Sequence, residues 1–141
     1  LMGIKIFVDT SFIIALVNIR DQYHQQVISI ASEYENQFLV ITDAVILEIS
    51  NALSRRYKLE AIQIIENFFE SNNVEVVRLT PELFERGFYL YKNRRDQTWG
   101  LVDCISFIAM QDRKIDTALT FDRHFTQAGF KTLPNINNDL T

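Results

Sequence analysis

Four carboxylates in this 141-residue chain occupy positions where carboxylates are out of place. Asp103 lies inside Trp99-Gly-Leu-Val-Asp-Cys-Ile-Ser-Phe-Ile-Ala-Met110, a stretch that reads as a helix apolar on nearly every face and therefore buried. A carboxylate taken out of water must be paired, hydrogen-bonded, protonated or metal-bound. Asp9 follows the apolar run of residues 4–8, and Asp122 follows that of residues 117–121. Glu48 falls in the second turn of a helix whose nearest positions are Ala44, Val45, Asn51 and Ala52, so it is expected to point toward the sheet edge rather than into solvent. Taken singly, the three aspartates have a plainer reading as helix caps. Gathered at one place, the four acids would repel and raise one another's pKa, a conflict that a divalent cation removes. An all-oxygen set selects Mg²⁺ or Mn²⁺, and there is no Cys/His cluster for zinc. Such a site can hydrolyse a phosphodiester by in-line attack of water.

Several neighbours could assist. Thr10 and Ser11 could hold water or phosphate through hydroxyls and helix-terminal N–H groups, with capping as the plainer reading. Ser106 stands one turn beyond Asp103, and Asp96 lies in the polar loop ahead of it, as a supporting acid or a solvated one. His124 could contact phosphate, although beside Arg123 at a helix start it reads more simply as a surface or packing residue. His24 has no acidic or thiol context and is expected to face solvent. Trp99 could stack a base, or serve as a core or dimer-contact residue.

The elements that would position these residues alternate. Strands are expected over residues 4–8, 38–41, 74–79, 117–121 and 130–133. Helices are expected over 12–18, 23–36, 43 into the 55–58 cluster, 59–70, 81–93, 99 or 100 to 110, and 122–128, with Ile62, Ile65, Phe68 and Phe69 of the fourth facing inward. Pro81 at a first helical position beside Glu82, and Gly129 after a last one, are strong boundary signals. Strands separated by helices imply right-handed crossovers and a mainly parallel sheet with helices on both faces, an α/β fold. Ligands gather at the carboxyl ends of such strands, near the point where strand order reverses, and both Asp9 and Asp122 stand at that edge.

A chain of this length with 48% hydrophobic residues fills one core and is too short for two ordinary domains. One domain is expected over residues 2–134, with a C-terminal tail over 135–141. Its apolar runs fall short of the ~20 residues that cross a bilayer, and no basic segment precedes an apolar one, so a soluble cytoplasmic protein without membrane contact is expected. Cys104, the single cysteine, cannot form an intrachain disulfide and reads as a buried hydrophobe. The net charge of −4 argues against holding long duplexes by bulk electrostatics, but leaves room for basic clusters at 55–58, 92–95 and 113–114 to guide phosphates or simply to cap helix ends.

Four motifs then combine: Phe7-Val-Asp9-Thr-Ser11, Leu47-Glu48-Ile-Ser-Asn51-Ala52-Leu53, Trp99-Gly-Leu-Val-Asp103-Cys-Ile-Ser106-Phe, and Thr120-Phe-Asp122-Arg-His-Phe125 followed by Ala128-Gly129-Phe130. In order and spacing they resemble the PIN-domain ribonucleases, especially the VapC-type toxins of toxin–antitoxin pairs, over nearly the whole chain. Gly100 stands where many relatives have Ser, which bears on a helix cap and not on the acids. The resemblance implies a five-stranded parallel sheet in order 3-2-1-4-5 and Mg²⁺ or Mn²⁺ bound by Asp9, Glu48, Asp103 and Asp122. It also implies cleavage of RNA, for an acidic chain single-stranded or loop RNA, with frequent homodimers and an antitoxin partner protein. Three rivals stay open: an inactive RNA- or protein-binding PIN module, a DNA nuclease using the same metal site, and a phosphate-transfer enzyme with Asp9 as covalent nucleophile. The last lacks a second Asp two residues after Asp9 and a phosphate-binding Gly loop.

Overall fold

The computed structural model describes residues 4–136, so residues 2–3 of the expected domain and 137–141 of the expected tail lie outside the described residues. The chain runs β1 (Lys5–Val8), α1 (Thr10–Val17), α2 (His24–Tyr34), β2 (Phe38–Thr42), α3 (Asp43–Leu53) and α4 (Lys58–Glu70). It continues as β3 (Val74–Val77), α5 (Pro81–Asn93), α6 (Leu101–Asp112), β4 (Thr117–Leu119), α7 (Arg123–Gln127) and β5 (Lys131–Leu133). All strand pairs are parallel, in the order β3-β2-β1-β4-β5. This is the architecture that the resemblance implied. The order reverses between β1 and β4, the adjacent strands that carry Asp9 and Asp122 at their carboxyl ends.

Local chemistry sets the boundaries. Thr42 and Thr80 cap α3 and α5 by accepting the N–H groups of Val45 and Leu83, both at 3.1 Å, and Pro81 fills the first position of α5. Gly129 turns the chain between α7 and β5 at φ +97°, a conformation that an L side chain would strain. The core beneath the site is aromatic: Phe107 meets Phe125 edge-on at 5.1 Å between centroids, and Phe125 lies 6.2 Å from Phe7. Helices α5 and α6 pack so closely that a Cβ built on Gly87 would come 2.5 Å from Ile105 Cγ1. Arg86 and Asp112 tie the same pair bidentately at 2.8 and 2.9 Å, and Arg113 grips Glu75 of β3 at 3.1 and 2.9 Å. Among the described residues no helix is long and apolar enough to cross a membrane.

Three local expectations need correction. Ile62 and Phe69 face solvent; the buried positions of α4 are Ala61 and Phe68, two turns apart, and one residue further on rotates each neighbour about 100° out of the core. Phe69 is instead covered by the Arg78 guanidinium, 5.6 Å from its centroid. His24 is half-buried, its Nδ1 2.8 Å from the Ala15 carbonyl, because α2 begins by folding back on the end of α1. β4 stops at Leu119, which frees residues 120–122 to turn toward the site.

Candidate active site

Asp9 leaves β1 in the position of an N-cap for α1, yet its side chain makes no cap bond. Its carboxylate turns across to the next strand instead, where Thr120 Oγ1 donates to Oδ2 at 2.7 Å. The same Thr120 oxygen accepts the N–H of Asp122 at 2.9 Å. Ser11 completes the knot: its Oγ stands 3.3 Å from Asp9 Oδ2 and 3.2 Å from Thr120 Oγ1, and it accepts the Phe121 N–H at 2.9 Å. The segment after β4 is thus pinned to the start of α1 by two buried or half-buried hydroxyls.

Asp103 belongs to the first turn of α6, where its Oδ2 accepts the N–H of Gly100 at 3.0 Å. Asp122 caps α7 by accepting the N–H of His124 at 2.9 Å. His124 Nδ1–H donates to Asp103 Oδ2 at 2.8 Å and lies 3.3 Å from Asp122 Oδ1, while its Nε2 is 3.2 Å from Thr98 Oγ1. No described residue donates to Asp103 Oδ1 or Asp122 Oδ2. Asp103, Asp122 and His124 each offer one ligand atom within 4.8 Å of the others.

Electrostatics follow from this crowding. Burial pushes the Asp9 carboxyl up to about 6; the Thr120 hydrogen bond works against this, and the charges of Asp122 and Asp103 add to it. Asp103 is raised too, by burial first and by Asp122, with the Gly100 N–H and His124 opposing. The site therefore strains against its own charge, and a cation placed among these oxygens would relieve it. The close donor set, the carboxylates of Asp103 and Asp122 beside the His124 imidazole with no thiolate, fits a divalent cation, while Asp9 and Glu48 lie outside that close group. Cys104 offers nothing here: burial and Asp103 push its thiol up to about 11.

The other residues singled out from the sequence fall at varied distances. Glu48 is exposed on α3 rather than tucked beneath an apolar face, because Leu47, Asn51 and Ala52 around it are exposed as well. It is nevertheless tied to the site, its Oε1 accepting the Thr10 hydroxyl at 2.6 Å. Neither Thr10 nor Ser11 acts as a cap, so their plainer reading fails. Ser106 is fully buried and donates to the Val102 carbonyl within its own helix. Asp96 is engaged bidentately by Arg94 on the surface, both contacts at 3.0 Å. Trp99 is a core residue, edge-on to Phe107 at 5.1 Å with Nε1 donating to Gln127. Sequence reasoning undervalued His124 and missed Thr120, although both lie in the Thr-Phe-Asp-Arg-His motif that carries Asp122.

The family model described as "PIN domain" matches residues 6–131. The 23S rRNA-specific endonuclease VapC20 of Mycobacterium tuberculosis, in strains CDC 1551 / Oshkosh and ATCC 25618 / H37Rv, is 30% identical over 125 residues, covering 89% of this chain and 95% of that protein. The crystal structure of VapC20, described as a Sarcin-Ricin loop cleaving toxin, superposes with a TM-score of 0.79 over the same shares of the two chains. VapBC2 from Rickettsia felis, bound to a DNA fragment from their promoter, matches with a TM-score of 0.61 at 12% identity over 89% of this chain and 94% of that one, a likeness of fold.

Proposed function

The chain belongs to the PIN-domain family, and from that premise we propose that it is a metal-dependent endoribonuclease of the VapC type that cuts single-stranded or loop RNA. The observation that carries this reading is the buried Asp9, joined through Thr120 to Asp122 and near enough to Asp103 to feel its charge, at the point where strand order reverses. Asp9, Asp103 and Asp122 would hold Mg²⁺ or Mn²⁺, and Glu48 completes the acidic set from the rim. Such a cation supplies a lowered pKa for water and charge opposite a phosphoryl oxygen. The chain's own residues do the positioning. Thr120 and Ser11 keep Asp9 aimed inward, and His124 Nδ1–H steadies Asp103. With its carboxyl pushed up to about 6, Asp9 carries its charge at neutral pH. Water adds to phosphorus as the P–O3′ bond breaks and the 3′ oxygen takes a proton, leaving 5′-phosphate and 3′-hydroxyl ends.

The substrate reading rests on the relatives named for cutting 23S rRNA and the Sarcin-Ricin loop, and on a chain of net charge −4 with little surface for gripping a duplex. As a VapC-type toxin it would act in the cytoplasm, work as a homodimer and be silenced by an antitoxin protein. Purified protein is incubated with a panel of structured RNAs in Mg²⁺, Mn²⁺ or EDTA and the ends are mapped. Cleavage confined to the metal samples, with 5′-phosphates, is expected. Cyclic phosphates or EDTA-resistant cleavage rule out the metal mechanism, binding without cleavage favours an inactive module, and cleavage of DNA alone makes it a DNA nuclease.

A further inference from the structure

Between the C-terminal end of α5 and the segment entering α6 runs a groove of about 920 Å³, lined by Phe88, Tyr91, Lys92, Arg94, Arg95 and Trp99. We propose that this groove is a base-stacking channel for the single-stranded RNA that flanks the scissile phosphate, an assignment that rests on the ribonuclease reading above and adds where the rest of the substrate lies.

Charge is the first argument. The chain carries −4 overall, yet residues 88–99 hold Lys92, Arg94 and Arg95 against Asp96 alone, a local excess of +2. Arg95 is exposed and makes no ion pair among the described residues. The second argument is the alternation of cations with π faces. Phe88 and Tyr91 remain 42% and 45% exposed, with rings 22° from parallel and centroids 6.2 Å apart. Lys92 Nζ sits 5.4 Å from the Phe88 centroid, and the Arg94 guanidinium lies 4.8 Å from that of Trp99. Trp99 is the buried footing, so Arg94, locked in place by Asp96, offers its plane to a base where the indole cannot. Aromatic rings and fixed guanidinium planes between phosphate-reaching cations are what unpaired nucleotides stack on.

Continuity with the acids is the third argument. Thr98 also lines the groove, and its hydroxyl is 3.2 Å from His124 Nε2, while the opposite nitrogen of that ring is 2.8 Å from Asp103. The groove therefore ends one imidazole away from the carboxylates. A second copy of this chain seated here across a two-fold axis would bring the cations of both copies to one seam, where Asp96, already taken by Arg94, leaves Lys92 and Arg95 unopposed among the described residues.

The test uses the full-length protein and a fluorescein-labelled twelve-nucleotide single-stranded RNA. Affinity is read by anisotropy in EDTA, and kcat and KM on a loop RNA are read in Mn²⁺. All targets are exposed, and superimposable melting curves check folding. Lys92→Ala combined with Arg95→Ala should weaken binding at least tenfold, raise KM, leave saturated kcat nearly unchanged, and reduce the salt slope by about 1.4, the value for two lost phosphate contacts. Tyr91→Ala should weaken binding about 5- to 150-fold, as loss of one stacked base does, and Tyr91→Phe should restore it. A wild type that cleaves RNA beside variants with unchanged KM overturns the channel and leaves the ribonuclease reading standing. Variants whose KM changes only together with their sedimentation coefficient reassign the face to a subunit contact. A wild type that neither binds nor cuts RNA removes the channel together with the reading it rests on.

Discussion

At the residue scale, Asp9 is the group whose environment most opposes its charge. Its carboxyl is held at about 6 instead of 3.8, so the folded protein binds that proton more tightly than the unfolded chain does. The sign follows from linkage: metal-free stability falls as pH rises from about 4 to about 6, by about 3 kcal/mol in total, and the loss persists above that window. Asp9→Asn should therefore be more stable than wild type at pH 7.5 without metal, by up to about that amount, while losing cleavage. Melting curves of both proteins in EDTA from pH 4 to 8 check it; a constant difference across the range would mean Asp9 does not titrate in this way. Adding Mn²⁺ should stabilise the wild type at pH 7.5 and much less at pH 5, where Asp9 is protonated. Thr120→Val removes the donor to Asp9 and the acceptor for the Asp122 N–H at almost constant volume. Mn²⁺ affinity and kcat should fall about 10- to 100-fold, as they do when a hydrogen bond behind a metal ligand is lost, and Thr120→Ser should keep most of both. Calorimetric titration with Mn²⁺ separates affinity from rate.

At the element scale, α6 is the part that brings Asp103 to the strand ends, and its seat depends on α5. Gly87→Ala would place a Cβ 2.5 Å from Ile105 Cγ1 and 3.3 Å from the Ile105 Cα. The side-chain atom can rotate away and the backbone atom cannot, so α6 must shift. A cost of about 1–3 kcal/mol is expected, in the range of an overpacked core, read as a lower urea midpoint at unchanged slope. Ile105→Ala removes the colliding atom, so the double variant should lose less than the sum of the two single losses. Strict additivity would show that the helices do not meet through this contact. Because Ile105 is two residues from Asp103, the Gly87→Ala shift should also weaken Mn²⁺ binding.

At the scale of the whole molecule, Asp9 and Asp122 stand at one sheet edge with Asp103 beside them, and Lys92, Arg94 and Arg95 line one groove of a chain whose net charge is −4. Binding to single-stranded RNA should therefore engage about three phosphates, with affinity falling about 20-fold between 50 and 200 mM monovalent salt. A duplex of the same length should compete poorly. A fall of a thousandfold, or equal competition by duplex, would indicate a wider basic surface than the chain carries. Anisotropy at four salt concentrations measures both.

The sequence alone determined the class of fold and singled out the acids as candidates. Apolar runs broken by capping residues locate strands and helices through contacts within a few positions, and a carboxylate in an apolar setting, such as Asp103, announces itself by the cost of burying it. The same reasoning placed Asp9 and Asp122 at the carboxyl ends of their strands, where the order of the sheet reverses. Which face of α4 turns inward was decided by packing, since Ala61 and Phe68 form as good a stripe as the larger Ile62 and Phe69. The partners of the acids were likewise beyond local pattern. Thr120 meets Asp9 across 111 positions, His124 meets Asp103 across 21, and Thr10 meets Glu48 across 38. A hydroxyl or an imidazole is ordinary on any surface, and only the pairing of β1 with β4, the docking of α6 and the packing of α1 on α3 give these three a carboxylate to hold.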